Sequence, residues 1–305
     1  MNVLFLCTGN TCRSPMAAAL FAMRCASRGV QAAVSSAGLA VWPGSRAEPN
    51  AIAASAEFGA DYYPNETAVS PGTPDLTAHL ARQAAPTLLE QADGVVCLAA
   101  THARQIAPFV PNEKLRVLGG GIADPYGGGL DTYRACARQI DEALSALLPD
   151  MLCQASIVPA EEAHLPALAE IERQCFSPPA SEAKLREKFE LEHNYMYTAV
   201  FGDDIAAGNA VAGFIGVDEI AGEAFVDDLA VFPQFRRRGI ASALLARAET
   251  GAILRGCGKI HLECREGNAG ALALYEARGY QRVGRRKNFY ESPKEDAILM
   301  TMEVR

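Results

Sequence analysis

Cys7 and Arg13 stand at the two ends of the loop Cys7-Thr8-Gly9-Asn10-Thr11-Cys12-Arg13-Ser14-Pro15, and an apolar run, Val3 to Leu6, leads into it. If that run is a strand and Pro15 lies in the first turn of a helix, the loop's backbone N–H groups and the helix's positive end converge on an anion. The same surroundings favour thiolate over thiol, so Cys7 reads as a nucleophile at neutral pH. Arg13 can hold two phosphoryl oxygens with its planar fork, and Ser14 is placed to donate a hydrogen bond to the sulfur and help it leave. Thr8, Gly9, Asn10, Thr11 and Cys12 complete the lining of the cradle. Far downstream, Asp124-Pro125-Tyr126-Gly127-Gly128 offers a carboxyl that can protonate a leaving group, provided folding carries it over Cys7.

A second constellation lies beyond residue 220. Val226-Asp227-Asp228-Leu229-Ala230-Val231-Phe232-Pro233 runs into Gln234-Phe235-Arg236-Arg237-Arg238-Gly239-Ile240-Ala241. A strand that ends, turns basic and enters a helix through glycine presents consecutive N–H groups to a pyrophosphate. Further on come His261-Leu262-Glu263-Cys264-Arg265, Asn268, and a helix carrying Leu274-Tyr275-Glu276.

The chain must supply elements to position these residues. Its 305 residues exceed what one hydrophobic core usually serves, and 50% hydrophobic with 21% charged residues allows two well-buried cores. A net charge of −8 argues against a nucleic-acid or anionic-membrane binder, so any phosphate site is built locally. The start MNVLFLC lacks a basic n-region and meets Thr8-Gly9-Asn10 before an apolar region is complete, which predicts no signal peptide. With no apolar run near the ~20 residues of a membrane span, a soluble cytoplasmic protein is expected. Nine cysteines, an odd number, read as reduced thiols, and the lack of zinc-type spacings predicts no metal.

Apolar β-type runs alternating with helical patterns from Val3 to Leu148 predict a parallel sheet. Strands are expected at Val3 to Leu6, Ala33 to Ser35, Val95 to Leu98 and Leu115 to Leu118. Helices are expected from Pro15 to about Arg28 and from Thr132 to Leu148, the latter interrupted by Pro149-Asp150. A boundary near 152 gives domains 1–151 and 152–305. In the second, helices are expected at Ala163 to Gln174, Ile240 to Leu254 and Ala269 to Ala277. Its strands are expected from Ser156, and at Tyr197 to Phe201, Ala210 to Val217, Ala224 to Val231, Lys259 to Cys264 and Ile298 to Val304.

The first constellation, with Ser35-Ser36-Ala37-Gly38, resembles the low-molecular-weight protein tyrosine phosphatases over residues 1 to 149. The resemblance implies a four-stranded parallel sheet flanked by helices, a cysteinyl-phosphate intermediate and no metal. Cys7 is then the nucleophile, Arg13 the phosphoryl clamp, and Asp124 first acid and then base. Thr11 stands where tyrosine phosphatases carry a bulky aliphatic residue and arginine phosphatases a threonine. Gly127 follows Tyr126 where a second aromatic would grip a phenyl ring. Both details resemble an arginine phosphatase, since a small hydroxyl residue leaves room and a polar partner for a guanidinium. Phosphotyrosine remains the alternative substrate. Arsenate reductases share the cradle but need two downstream relay cysteines, and Cys97 has none close after it. Cys12 reads either as a partner for a protective reversible disulfide with Cys7 or as a buried spectator thiol.

The second constellation resembles the GNAT acetyltransferases, and among them the ribosomal-protein alanine N-acetyltransferases, over about 155 to 304. A mixed-sheet GNAT fold and acetyl-CoA as co-substrate are implied. By position, Leu229, Ala230 and Val231 give main-chain contacts to the acetyl-CoA arm. Arg237, Arg238, Gly239, Ile240, Ala241 and Ser242 cradle its pyrophosphate, and Asn268 touches it too. Glu263 is the implied base for the acceptor's α-ammonium, and Tyr275 the implied acid for the CoA thiolate. One departure is Ala180 after Pro179, where the family commonly has an aromatic beside the peptide-binding side. Together these readings predict a bifunctional enzyme whose partners are phosphorylated proteins and the N-terminus of a ribosomal protein. The alternative for the second half is a CoA-binding or docking module without turnover.

Overall fold

Val3 to Leu6 are buried on both faces within β1 (Asn2–Cys7), as the centre of a parallel sheet requires. The computed structural model describes residues 1–62, 74–202 and 211–305. These divide into two units, Met1–Leu148 with Arg305, and Pro149–Val304.

In the first unit β1 is followed by α1 (Arg13–Ala26), β2 (Ala33–Gly38), α2 (Pro49–Tyr62), α3 (Pro86–Gln91), β3 (Gly94–Cys97), α4 (Ala100–Ile106), β4 (Leu115–Val117) and α5 (Leu130–Met151), whose last three residues belong to the second unit. The four strands form one parallel sheet in the order β2-β1-β3-β4. Because β2 pairs with one edge of β1 and β3 with the other, β1 lies where the winding reverses. Its carboxyl end, at Cys7, opens into the crevice that such a switch point creates. Alanine-rich α1 is buried on nearly every side, which its small side chains permit, and Phe21 meets Phe5 edge-on at 5.5 Å. Arg24 of α1 bonds Asp141 of α5 at 2.5 Å, both buried.

The helix α1 stops at Ala26, two residues before the expected Arg28, where Gly29 takes a φ of 66° and Val30 N–H turns back to Cys25 O. Conversely, α5 does not break at Pro149 and continues to Met151. A proline in the last turn removes one amide from a helix that has only two more residues to run.

The second unit contains β5 (Ser156–Pro159), α6 (Leu165–Cys175), α7 (Glu182–Phe189), β6 (Asn194–Val200), β7 (Val211–Ile220), β8 (Glu223–Val231), α8 (Ile240–Arg255), β9 (Lys259–Arg265), α9 (Ala269–Ala277), β10 (Gln281–Glu291) and β11 (Lys294–Glu303). Ala210, expected to start the strand that becomes β7, lies outside the described residues. The sheet order is β10-β11-β9-β8-β7-β6-β5, and β8 with β9 is its parallel pair. The two faces carry different cores. One packs Leu244, Leu245, Leu272 and Tyr275 of α8 and α9 on Val226, Leu262 and Met300. The other packs Leu165, Leu168, Ile171 and Leu185 of α6 and α7 on Phe214 and Ala230.

The parallel pairing of β8 and β9 ends at Val226↔Leu262. At the same level the register with β7 slips, Gly216 facing Asp228 and Val217 facing Val226, so Asp227 is the extra residue of a bulge. A bulge bends its strand, and the carboxyl halves of β8 and β9 separate into a cleft. Among the described residues no helix is long and apolar enough to cross a membrane.

In the same unit, Arg278 donates to both oxygens of Glu249 at 2.5 to 3.0 Å and to Ser242 Oγ at 3.3 Å, all three groups buried. Removing one partner strands a buried charge. Glu249→Ala is expected to cost the second unit about 3–5 kcal/mol, read as an earlier urea transition in that unit.

Candidate active sites

The loop between β1 and α1 is held from beneath by Asn10. This residue is fully buried and takes a φ of 56°, a conformation that asparagine tolerates better than most side chains. Its carboxamide is saturated: Nδ2 donates to Ser14 Oγ at 3.0 Å and Ser36 Oγ at 2.9 Å, and Oδ1 accepts Arg82 N–H at 3.0 Å. His79 Nε2 reaches Asn10 O at 2.8 Å, and Arg82 Nε donates to Ser36 O at 2.8 Å. Gly38 lets the neighbouring strand close in, since a Cβ there would lie 2.6 Å from Thr8 O and 3.0 Å from Asn10 N.

Within this frame Cys7 Sγ lies 3.0 Å from Ser14 Oγ and receives Asn10 N–H at 3.3 Å. Asn10 already donates to the Ser14 oxygen, which leaves the single hydroxyl proton for the sulfur or for Ala37 O at 3.4 Å. The amides of Thr8, Gly9, Thr11, Cys12, Arg13 and Ser14 have no acceptor among the described residues. Those of Arg13 and Ser14 are helix-start donors with no intrahelical partner. Arg13 is buried, donates to Ile122 O at 3.2 Å and to Asp124 Oδ2 at 2.5 Å, and its Nε has no partner among the described residues. Asp124 therefore sits beside the cradle, its other oxygen accepting Tyr126 N–H at 3.2 Å. Tyr126 stands out in solvent. A cysteine sulfur, a guanidinium, amides without acceptors and a carboxyl suit in-line transfer of a phosphoryl group to sulfur.

Several supporting groups carried no local signal. Thr8 Oγ1 meets His102 Nε2 at 3.0 Å, and burial, aided by the Arg13 charge, pushes that imidazole down to about 4. Cys12 Sγ lies 3.3 Å from Tyr133 OH and 3.5 Å from Thr11 Oγ1, and burial raises its thiol above the usual range. His79, Arg82, His102 and Tyr133 lie far from the loop in sequence, and only Ser36 belonged to a segment that stood out.

In the second unit Leu229, Ala230 and Val231 occupy the part of β8 beyond the bulge, bordering the cleft. Arg237 (φ 65°) and Gly239 (φ 78°) coil the following loop tightly ahead of α8. The amides of Arg237, Arg238, Gly239, Ile240 and Ala241 have no acceptor among the described residues, a fit for pyrophosphate oxygens. The Arg238 guanidinium lies 5.5 Å from the centre of the Phe235 ring. The Ser242 side chain does not face the loop: it is buried and accepts Arg278 NH1 at 3.3 Å. Asn268 is the N-cap of α9, its Oδ1 accepting Ala271 N–H at 3.1 Å, so its oxygen is already engaged and Nδ2 is what it can offer a ligand.

Tyr275 is buried against the cleft-side core, 5.9 Å edge-on from Tyr280, and burial raises its phenol above the ordinary value, so it is protonated at neutral pH. Glu263 lies on the opposite face of β9 from Leu262 and Cys264, paired with Arg286 of β10 at 2.9 Å. One carboxylate stood outside the sequence reading. Glu172 of α6 is 2% exposed, takes Ala180 N–H on Oε2 at 2.9 Å and leaves Oε1 without a partner among the described residues. Burial pushes it up to about 7, against the Ala180 hydrogen bond. The turn in which Ala180 replaces an aromatic is thus tied to the helix by a backbone contact.

Residues 2–157 match the family described as low molecular weight phosphotyrosine protein phosphatase, and residues 165–280 match the acetyltransferase (GNAT) family. A protein-arginine-phosphatase of Bacillus subtilis is 31% identical over 156 residues, 48% of this chain and 94% of that protein. A low molecular weight protein-tyrosine-phosphatase of Streptomyces coelicolor is 34% identical over 166 residues, 48% of this chain and 91% of its own. The second half is similar to the [ribosomal protein bS18]-alanine N-acetyltransferase of Escherichia coli, 30% identical over 146 residues, 47% of this chain and 94% of that enzyme.

The buried His102 sets an acid limit on the first unit. Its folded value of about 4 lies below the ordinary 6.5, so the stability of the neutral imidazole is present above pH 6.5 and is lost as pH falls toward 4. In that window the unfolded chain binds one more proton, a slope of about 1.4 kcal/mol per pH unit. His102→Gln keeps a donor for Thr8 and is expected to flatten this slope by one proton in urea titrations between pH 4 and 6.5.

Proposed function

We propose a protein phosphoarginine phosphatase and a peptide α-amine acetyltransferase in one polypeptide, because the chain belongs to the low molecular weight phosphotyrosine protein phosphatase family over residues 2–157 and to the GNAT acetyltransferase family over 165–280. It is both a hydrolase and an acyltransferase. The substrates and the roles of individual residues are the inferred part, and cytoplasmic phosphoproteins and a ribosomal-protein N-terminus are the proposed partners.

In the first half the carrying observation is Cys7 Sγ within hydrogen-bond reach of Ser14 Oγ and Asn10 N–H, beside an Arg13 that already holds Asp124. A phosphoryl group takes the Arg13 fork and the loop amides. The sulfur attacks phosphorus as the P–N bond breaks, and Asp124 gives its proton to the departing guanidine nitrogen. The now ionised Asp124 then takes a proton from water, whose oxygen attacks phosphorus and expels the thiolate. Ser14 and Asn10 N–H receive the charge returning to sulfur.

Thr11 and the exposed Tyr126-Gly127 pair support phosphoarginine, since neither builds the apolar slot a phenyl ring would favour. The tyrosine-phosphatase relative keeps phosphotyrosine as the competing reading. Matched phosphoarginine and phosphotyrosine peptides separate the two in single-turnover assays. Phosphoarginine is expected to react faster by about tenfold or more, and the opposite preference would remove Thr11 from its role. Cys7→Ser is expected to abolish either reaction.

In the second half the carrying observation is the cleft that opens where β8 leaves β9, with Glu263 and a protonated Tyr275 on the strand and helix that border it. Leu229 to Val231 offer main-chain groups to the arm of acetyl-CoA, the Arg237 to Ser242 segment offers amides to its pyrophosphate, and Asn268 Nδ2 is a further donor for the cofactor. Glu263, through water, takes the proton of the acceptor ammonium. The neutral nitrogen attacks the acetyl carbon, the C–S bond breaks, and Tyr275 protonates the thiolate. Acetylation of an alanine-starting ribosomal peptide is expected, with kcat lowered roughly 100-fold in Glu263→Gln and in Tyr275→Phe. Cofactor binding without acetylation would instead leave a docking module.

A further inference from the structure

The loop that begins at Cys7 is tied to the first unit differently on its two flanks. Toward β2 its own carbonyls hold it. Cys7 O and Thr8 O accept the N–H groups of Leu39 and Ala40 at 3.0 and 2.9 Å, and Thr11 O accepts that of Glu48 at 2.9 Å. Toward β3 a side chain reaches in. His102, in the first turn of α4, brings Nε2 to 3.0 Å from Thr8 Oγ1. His102 is buried, whereas Thr8 is exposed and stands directly after Cys7.

The direction of this hydrogen bond follows from the other ring nitrogen. Nδ1 of His102 is buried and has no partner among the described residues. Burial, aided by the Arg13 charge and opposed by Asp124, pushes the imidazole down to about 4, so at neutral pH the ring carries a single N–H. On Nδ1 that N–H would be a buried donor without an acceptor, the costlier arrangement, whereas on Nε2 it is bonded. Nε2 therefore donates and Thr8 Oγ1 accepts. The Thr8 hydroxyl keeps its own proton for another partner. Its backbone amide also has no acceptor among the described residues. One residue beside the sulfur thus carries two donors for an anion.

We propose that His102 is a positioning residue of the phosphatase, which fixes the Thr8 hydroxyl as a further donor to the phosphoryl oxygens alongside the loop amides. This rests on the reading of Cys7 as the nucleophile. His102 does not act as a base here, because the nitrogen that faces Thr8 holds the proton and has no lone pair to offer. A hydroxyl aimed at phosphoryl oxygens serves whatever leaving group the phosphorus carries, so phosphoarginine and phosphotyrosine are affected alike.

A double-mutant cycle on the full chain tests this with matched phosphoarginine and phosphotyrosine peptides. His102→Leu and Thr8→Val should each lower kcat/KM about tenfold on both peptides, and the double variant should be no slower than either. His102→Gln returns an N–H donor and should recover most of the loss. Nitrogen NMR of the imidazole in the parent chain needs no substitution and stands even where His102→Leu does not fold. It should find the ring proton on Nε2. A proton on Nδ1, additive losses, a loss in His102→Leu without one in Thr8→Val, or a loss confined to one leaving group would overturn the role. Failure of the cycle in a chain that needs Cys7 for turnover removes His102 alone. A parent chain inert on both peptides, or a Cys7→Ser variant as fast as the parent, removes the nucleophile reading and this role with it.

Discussion

Backbone amides at the start of a helix have no carbonyl within the helix to receive them, and both halves of this chain place a strand end against such a start. At residues 8–14, Asn10 aside, and again at 237–241 the result is a row of donors with no acceptor among the described residues. A chain of net charge −8 can hold anions only where donors are fixed by the fold rather than by a basic surface. The rest of the structure serves that constraint. One sheet delivers Cys7 to its switch point, and the other opens a cleft beside Leu229.

Keeping such loops in place requires interactions that do not consume the amides themselves. In the first unit a neutral side chain does this. Asn10, in a left-handed conformation, spends its whole carboxamide on Ser14, Ser36 and the amide of Arg82. Nothing in that frame competes for the charge of Arg13, which stays available between Asp124 and a phosphoryl group. The second unit uses a buried ion pair instead. Arg278 locks Glu249 to the Ser242 hydroxyl, and so fixes the first turn of α8 from its inner side.

Elements with a one-sided or wholly apolar pattern were legible in the sequence. The strands around Val3, Val95 and Ile260, and the helices at Ile240 and Ala269, begin within a few residues of where the pattern put them. The illegible ones lacked such a pattern. β10, Gln281–Glu291, is exposed at almost every position and exists because β11 pairs with it. α7, Glu182–Phe189, buries only Leu185 among its described side chains. At the sites, Cys7, Arg13, Glu263 and Tyr275 stood out because their types and spacing imply chemistry. Ser242 and Asn268 were expected to face a cofactor, but their side-chain oxygens went to Arg278 and to a helix cap. Glu172 looked like one charge among several on an amphipathic helix, and nothing local marked it as buried.

Taken alone, the order of residues determined which groups can do chemistry and the local strand, loop and helix that aim their backbones, because those depend on neighbours a few positions apart. Only the tertiary structure decided that Asp124 reaches Arg13 across 111 residues, that Arg286 pairs with Glu263, and that Lys188 bridges Asp227 and Asp228. Such meetings follow from sheet order, from a bulge at one position and from the burial of whole faces. Those are properties of the packed chain that no short stretch of sequence contains.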